Sequence, residues 1–472
     1  MKHFFIITAI SSVIVFAMAS CTNYTVEEGK TNLEKESLQS LLLEKGTTPI
    51  TANEAINVAL LYNKQNKIET KGEVEKIVSD VYTVFSENRE PSMYAVNFIG
   101  NNGFIVVSAS RKYYPILAMV EKGHFDDSFV YCPLGGWIDE QNEQIAIAER
   151  DEVDEETAKS IRIMWSAFEK KDVAKWIETK SEAEAFALRQ SSVAAWEAQG
   201  YTCYALSEQP SEMSNSVYSN WCQIAQGLAN PDYNYLTYSV ILERRVDDSL
   251  RVGPLIKTTW ERENGFNAAL VDTAGHLVPV GSRPLAVGQV MRYFQKPTSY
   301  NWTVDFPLNY ATGSIASFLK ILSNRMGLTY YYGEEDATDL AALVAMINYY
   351  SYSGTCASFV RSTVVSNIQN GKPVILSGTR TYGGTTSSYA WVCEGNMVTA
   401  IHYEYELKVI SVSEMAYEHA ASESENQFGF VNYLYHNLGL GGSLNGWYIS
   451  NSPSSGGNSM STTNMIYNIT AP

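Results

Sequence analysis

Residues 280–297 constrain the fold more than any other stretch. Val280-Gly281-Ser282 reads as a turn, and behind it Ala286, Val287, Val290, Met291, Tyr293 and Phe294 recur at helical spacing as one buried face. Ser282 is placed to cap this helix. Pro284 falls in its first turn, where backbone amides need no intrahelical partner. Strand-like, Gly-rich and aromatic sequence surrounds it from about residue 246 to the C-terminus, which places one domain over 246–472.

A second unit precedes it. Thr51 can cap a helix whose apolar residues run from Ala55 to Tyr62. Tyr94–Ile99 and Phe104–Ser108, joined through Gly100-Asn-Asn-Gly103, read as a hairpin of buried strands, with Pro115–Val120 as a third strand. These predict a small α+β unit over 47–137. Between the two, 138–245 alternates charge with Ile145, Ile147, Ile161, Met164, Trp165, Phe168, Trp176 and Trp196, the pattern of a connector built from amphipathic helices.

The first residues point to export. Lys2, an apolar run from Phe4 to Met18, and Ala19-Ser20 directly before Cys21 form a signal peptide over 1–20, with Cys21 as the expected lipidated N-terminus. The polar span 21–46 is expected to be a flexible tether. No later stretch is apolar enough to cross a membrane. Lys and Arg total 34 against 51 Asp and Glu, a net charge of −17 that argues against nucleic acid as a partner. Cys132, Cys203, Cys222, Cys356 and Cys393 lack zinc-ligand spacing, and buried thiols are expected rather than a disulfide framework, with a Cys203–Cys222 bridge left open. The His residues lie scattered, so no metal and no cofactor is expected.

The motifs of the second domain resemble those of the streptopain family of papain-like cysteine peptidases (peptidase family C10), among them bacterial lipoproteins of the Bacteroidetes type. The matching stretches are Gly253-Pro-Leu-Ile-Lys-Thr-Thr-Trp260, Gly281 to Tyr293, Ser388-Tyr-Ala-Trp-Val-Cys-Glu-Gly395 and His436-Asn-Leu-Gly-Leu-Gly-Gly442. Residues 48 to about 135 resemble the family's inhibitory pro-domain. The resemblance implies an α+β chain: a papain-like fold preceded by a streptopain-type pro-domain.

Carried over residue by residue, the family's nucleophilic cysteine falls on Ser282, its histidine on Tyr389, its oxyanion glutamine on Arg262 and its orienting polar residue on Asn437. Leu438 and Leu440 stand where the family has tryptophans. A serine hydroxyl needs an adjacent base, and a tyrosine protonated at neutral pH is a poor one. The simplest reading is Ser282 as a helix cap, Tyr389 as a half-buried strand aromatic and Arg262 as a surface or cleft-lining cation. Cys393, His276 and His436 read as structural or surface residues. The resemblance and these replacements together imply an inactive homologue that holds a peptide or protein in its cleft, anchored by lipid to the cell envelope, at the outer membrane or cell surface. The competing reading is an active secreted endopeptidase with a non-standard site.

Overall fold

Thr51 and Glu54 exchange hydrogen bonds at the head of the first helix, α1 (Ala52–Gln65). The Thr51 N–H donates to Glu54 Oε2 at 2.8 Å and the Glu54 N–H to Thr51 Oγ1 at 3.3 Å, a reciprocal cap. The computed structural model describes residues 23–25, 41–44, 46, 49–65, 76–128, 134–150, 153–170, 183–228, 237–328, 330–331, 334–335, 340–382, 385–411, 416–450 and 462–472. The signal peptide, Cys21 and Cys132 lie outside the described residues.

Helix α1 packs its Ala55, Val58, Ala59 and Leu61 against an antiparallel meander of β1 (Asn23–Thr25), β2 (Val78–Phe85), β3 (Pro91–Phe98), β4 (Phe104–Ser108) and β5 (Ile116–Val120). The expected hairpin is β3–β4, in register from Met93 opposite Ser108 to Asn97 opposite Phe104. Gly103 must be glycine: its φ is +83°, and an added Cβ would lie 1.9 Å from the Val120 carbonyl oxygen.

Two expectations need correction here. Within 21–46, Asn23–Thr25 pairs with β2, while Leu41 and Leu43 are buried. The Leu43 N–H donates to the Phe168 carbonyl at 2.7 Å and the Lys170 N–H to the Leu43 carbonyl at 2.8 Å, so these parts of the tether belong to the folded unit. Three successive leucines at 41–43 supply the apolar surface that holds them there.

The connector over 138–245 is not helical throughout. It holds α2 (Leu134–Glu149), α3 (Glu155–Trp165), α4 (Ala183–Ala198) and α5 (Asn215–Leu228), but also β6 (Thr202–Ala205) and the first part of β7 (Thr237–Val252). β7 runs through Val240, Ile241 and Leu242, all buried. Val240 and Leu242 cluster with Val193, Trp196 and Cys203, whereas Ile241 joins the main core on the opposite face. A strand buried on both faces at one end and charged beyond it carries neither a helical nor an alternating signature.

The remaining elements are α6 (Ser282–Phe294), α7 (Gly313–Arg325), β8 (Tyr330–Tyr331), β9 (Glu334–Glu335), α8 (Leu340–Tyr349), β10 (Ser353–Ser358), α9 (Arg361–Gln369), β11 (Val374–Tyr382), β12 (Thr385–Ser411), β13 (Ala416–Asn437), β14 (Gly446–Ile449) and β15 (Thr462–Thr470). β8 and β9 pair with each other. The others form one antiparallel sheet in the order β1-β2-β3-β4-β5-β14-β13-β12-β11-β15-β10, with β7 pairing on β12 and β6 on β7. This is the α+β architecture expected from the sequence. β12 and β13 continue with β7 into a long three-stranded ribbon, in register from Asn396 opposite Val252 to Ser411 opposite Thr237.

The two units share this sheet. β5 pairs with β14, Gly446 opposite Val120 and Tyr448 opposite Ala118. The Tyr433 hydroxyl donates to the Ile116 carbonyl at 3.0 Å, and Lys122 Nζ to the Gly441 carbonyl at 3.2 Å. One hydrophobic cluster runs from Val58 and Phe104 through to Trp391, Tyr433 and Trp447.

Candidate functional site

Helix α6 is the element around which the candidate site is built. Ser282 through Met291 are all buried, Arg283 and Gln289 included, so it is a central helix enclosed on all sides. Val287, Val290 and Met291 pack with Trp260, Phe318 and Leu319 in a second apolar core. The helix points its N-terminus at β12.

Ser282 is not the cap. Gly281 occupies that position, with φ −60° and ψ 145°, and no side chain caps the helix there. Ser282 is the first helical residue; it is buried, and its hydroxyl accepts a hydrogen bond from the Ala390 N–H at 3.1 Å. The next residue adds a second tie: Arg283 Nη2 donates to Ser388 Oγ at 2.7 Å, although its side chain is only 2% exposed. Helix start and strand are therefore joined on both sides of Tyr389. Tyr389 itself is half-buried on β12, opposite Gly378 of β11.

Arg262 is held close to the same helix start. Its Nε donates to the Val280 carbonyl at 2.7 Å, and the Val280 N–H donates to the Arg262 carbonyl at 2.7 Å. This pair of bonds fixes the turn that leads into Ser282. Asn437, 1% exposed at the end of β13, donates from Nδ2 to the Thr258 carbonyl at 3.0 Å and accepts from the Gly439 N–H at 3.2 Å. Thr258 in turn donates from Oγ1 to Gln289 Oε1 of α6 at 2.8 Å. Ser282, Tyr389, Arg262 and Asn437 are thus brought onto one connected frame of helix, strands and loop.

Behind this frame lies a group that the sequence motifs do not single out. Glu394 is fully buried; its carboxyl accepts the Ile256 N–H, and its main-chain carbonyl accepts the Leu255 N–H at 3.0 Å. Burial pushes its pKa up to about 8, against the opposing pull of the Ile256 N–H and the Asn437 side chain. At neutral pH it is mainly a neutral acid. The available clue is a carboxylate set directly after the apolar run 389–393, and for Arg283 a charge set directly before the apolar stretch of α6.

The remaining candidates fall outside the chemistry. Cys393 is fully buried, and burial raises its thiol pKa, the reverse of what a thiolate nucleophile needs. His436 is buried and accepts the Trp391 indole N–H at Nδ1, 3.1 Å away; burial lowers its pKa to about 3, so it stays neutral. His276 is exposed on a turn beside Asp272, whose carboxylate takes the His276 and Ala274 amides and is held below its usual pKa by them. Leu438 is buried, whereas Leu440 is half-buried and bridges to Glu261.

Cys203, Cys222, Cys356 and Cys393 are in no disulfide. Cys203 and Cys393 are buried as expected, but Cys222 is half-buried and Cys356 exposed, the latter because β10 lies at the end of the sheet. Among the described residues no group of three His, Cys, Asp or Glu side chains could hold a metal ion, and no helix is long and apolar enough to cross a membrane. A shallow groove of about 240 Å³ is lined by Leu255, Ile256, Thr258, Arg292, Tyr293 and Leu308. Its Arg292 lies ten residues along α6 from Ser282, roughly 15 Å at the helical rise, so it is not a cleft at the helix start.

Comparison with known proteins adds one strong match. Residues 47–145 match the family model of the Spi protease inhibitor, over the segment that the sequence motifs assign to a streptopain-type pro-domain. Among solved structures, the chain is similar to a Prevotella intermedia prointerpain A fragment carrying a cysteine-to-alanine change, at 14% identity and a TM-score of 0.43, covering 79% of this chain and 94% of that one. It is also similar to active wild-type interpain A cysteine protease of Prevotella intermedia, at 15% identity and a TM-score of 0.33, covering 46% of this chain and 94% of that one. No curated protein matches.

Proposed function

We propose that this chain, which carries the Spi-type pro-domain of the streptopain family, is a pseudopeptidase: it holds a peptide or a segment of protein at the start of helix α6 and does not cut it. The observation that carries the reading is the Ser282 hydroxyl. It sits where the family's thiol would be and accepts a backbone N–H from Ala390, while the neighbouring strand position presents Tyr389 in place of an imidazole. A hydroxyl is far less acidic than a thiol and needs a base to act as a nucleophile. Cys393 and His436, which could offer a thiol and an imidazole, are both fully enclosed.

Oxyanion stabilisation is replaced as well. Arg262 stands where the family has glutamine, and its Nε is committed to the Val280 carbonyl. Loss of a nucleophile or its base alone costs several powers of ten in rate. Casein digestion by the purified full chain tests the proposal, with no cleavage expected. Cleavage abolished by Ser282→Ala would establish the competing active endopeptidase instead. The triple change Ser282→Cys, Tyr389→His, Arg262→Gln should gain reactivity toward a thiol-directed peptidyl probe.

The same proposal places the protein at the cell envelope through lipid on Cys21, on the strength of the apolar run and small residues before it. Incorporation of labelled fatty acid, lost in Cys21→Ala, is the expected result. Retention of the label in that variant would exclude the anchor.

A further inference from the structure

Arg292 lies in the last turn of α6 and lines the shallow groove of about 240 Å³. Its Nε donates to the Phe306 carbonyl at 2.6 Å, which anchors the guanidinium, while its terminal nitrogens have no hydrogen-bond partner among the described residues. No carboxylate pairs with it there, whereas Arg244 and Arg245 on the ribbon meet Glu404 and Asp247. Loss of hydration alone lowers its pKa, with no neighbouring carboxylate acting against it. The helix dipole favours a cation in a last turn, but that field amounts to about half a charge and makes no demand on the facing wall.

The facing wall is the run 255–258, which belongs to no helix or strand. It contributes a second cation, Lys257, exposed and without an ion pair or hydrogen bond among the described residues. Thr258 is only 3% exposed; its carbonyl accepts from Asn437 and its hydroxyl donates to Gln289, yet its N–H, like that of Lys257, meets no acceptor among the described residues. The N–H of an enclosed residue is seldom left so. The rest of the lining is apolar: Leu255, Ile256, Leu308 and the ring of Tyr293, whose hydroxyl is committed to the Gly371 carbonyl at 2.9 Å. Glu394 lies behind Ile256, but it is fully buried and mainly neutral at pH 7. Both charges on the groove are therefore positive, in a chain whose net charge is −17.

We propose that this groove binds the carboxyl-terminal residue of a peptide whose last side chain is apolar, with the terminal carboxylate held by Arg292 and Lys257 and the side chain against Leu255 and Leu308. An anchored guanidinium offers a carboxylate two parallel hydrogen bonds, and a lysine adds a mobile point charge. A terminal residue carries its carboxylate and its apolar side chain on one carbon, which suits a groove smaller than the roughly 300–1,000 Å³ of sites that enclose larger ligands. An acidic side chain inside a longer chain would have to bring two flanking backbones into the same space. The unpartnered N–H groups of Lys257 and Thr258 are donors for the carbonyl of the preceding peptide residue. The groove is remote from the start of α6, so this site and the pseudopeptidase reading stand or fall separately.

The test is equilibrium dialysis of the purified full chain against labelled acetyl-Gly-Gly-Leu as the free acid, against its carboxyl-terminal amide, and against acetyl-Asp-Gly-Leu amide, which keeps a carboxylate but not at the terminus. Saturable binding of the free acid at one site per chain is expected, with each amide at least about tenfold weaker. Arg292→Gln should weaken the free acid by at least about tenfold. Lys257→Gln and Leu308→Glu lie at exposed positions that do not threaten the fold, and each should weaken it about fivefold or more, the second by setting a negative charge against the carboxylate. Ser282→Ala should leave the binding unchanged. No saturable binding up to about 10 mM overturns the proposal. So does an amide that binds as tightly as the acid, binding indifferent to both Lys257→Gln and Leu308→Glu, or binding lost in Ser282→Ala, which would move the peptide to the start of α6.

Discussion

The hydroxyl of Ser282 accepts the backbone N–H of Ala390 at 3.1 Å, which ties the first residue of α6 to the strand carrying Tyr389. This bond commits the hydroxyl to holding the helix start against the strand. Ser282→Ala removes the acceptor and leaves a buried amide without it. The expected cost is about 1–3 kcal/mol of stability, with casein digestion absent before and after the change. Urea denaturation checks the first and the digestion assay the second.

Glu394 gives the chain a pH dependence of defined sign. Its pKa is about 8 in the folded state against about 4.3 in an unfolded chain, so the folded form holds a proton that the unfolded form has lost. Stability from this group is fully present below about pH 4 and falls as pH rises toward 8, at about 1.4 kcal/mol per pH unit between. Tyr293 of α6, Cys393 of β12 and Tyr435 of β13 are also pushed toward their neutral forms, each by burial first and by Glu394 among the lesser causes. Glu394→Gln keeps the acceptor for Ile256 and should remove the slope, so its stability advantage over the wild type grows from pH 5 to 8. Denaturation midpoints across that range decide it; parallel curves would remove Glu394 from the account. Glu140 of α2, likewise raised to about 8 by burial, adds a slope of the same sign that both proteins share.

Local features are legible in the sequence, and long-range ones are not. The Thr51 cap and the β3–β4 hairpin are written within a few residues of one another, where periodicity and capping act; α6 is legible as a helix, but not its enclosure on all sides from Ser282 to Met291, with Tyr293 and Phe294 left half-buried. Ser282 resembles a cap because the residue type suits one; its partner lies 108 residues away and no local pattern reveals it. The titration of Glu394 depends on burial that only the assembled strands create. β7 carries no periodic signal because both its faces are buried at one end. Leu41 and Leu43 sit within a polar span that masks them, although three leucines in a row are in plain view.

The shared sheet predicts that the first unit does not leave. A specific protease site placed between Lys170 and Ala183, once cut, should give two fragments that still co-elute on gel filtration under native conditions and separate in denaturant. Separate elution without denaturant would show that the β5–β14 pairing is not what holds the units together. Gly446→Ala tests the joint directly: its Cβ would lie 2.6 Å from the Met119 carbonyl oxygen and 3.0 Å from Val120 Cα, backbone atoms on the neighbouring strand. A loss of about 1–3 kcal/mol is expected, along with weaker association of the cut fragments. Expressed in a protease-deficient host, the uncut chain should remain in one piece.

His436 sets the acid limit with the opposite sign to Glu394. Its pKa is about 3 when folded and about 6.5 when unfolded, so below pH 6.5 the unfolded chain takes up a proton that the folded chain refuses. Stability attributable to this residue is complete above about pH 7 and declines toward pH 3, again at about 1.4 kcal/mol per pH unit. The cause is enclosure: the ring is 1% exposed, accepts the Trp391 indole N–H and packs against the ring of Tyr448. His436→Gln can still offer an acceptor to Trp391 but cannot take up the proton. Its denaturation midpoint should start below that of the wild type at pH 7, because the ring contacts are lost, and the gap should narrow as the pH falls to 4. A gap that stays constant or widens with acid would mean that the imidazole is charged in the folded protein, and that the fold contains a cationic ring beside the site after all.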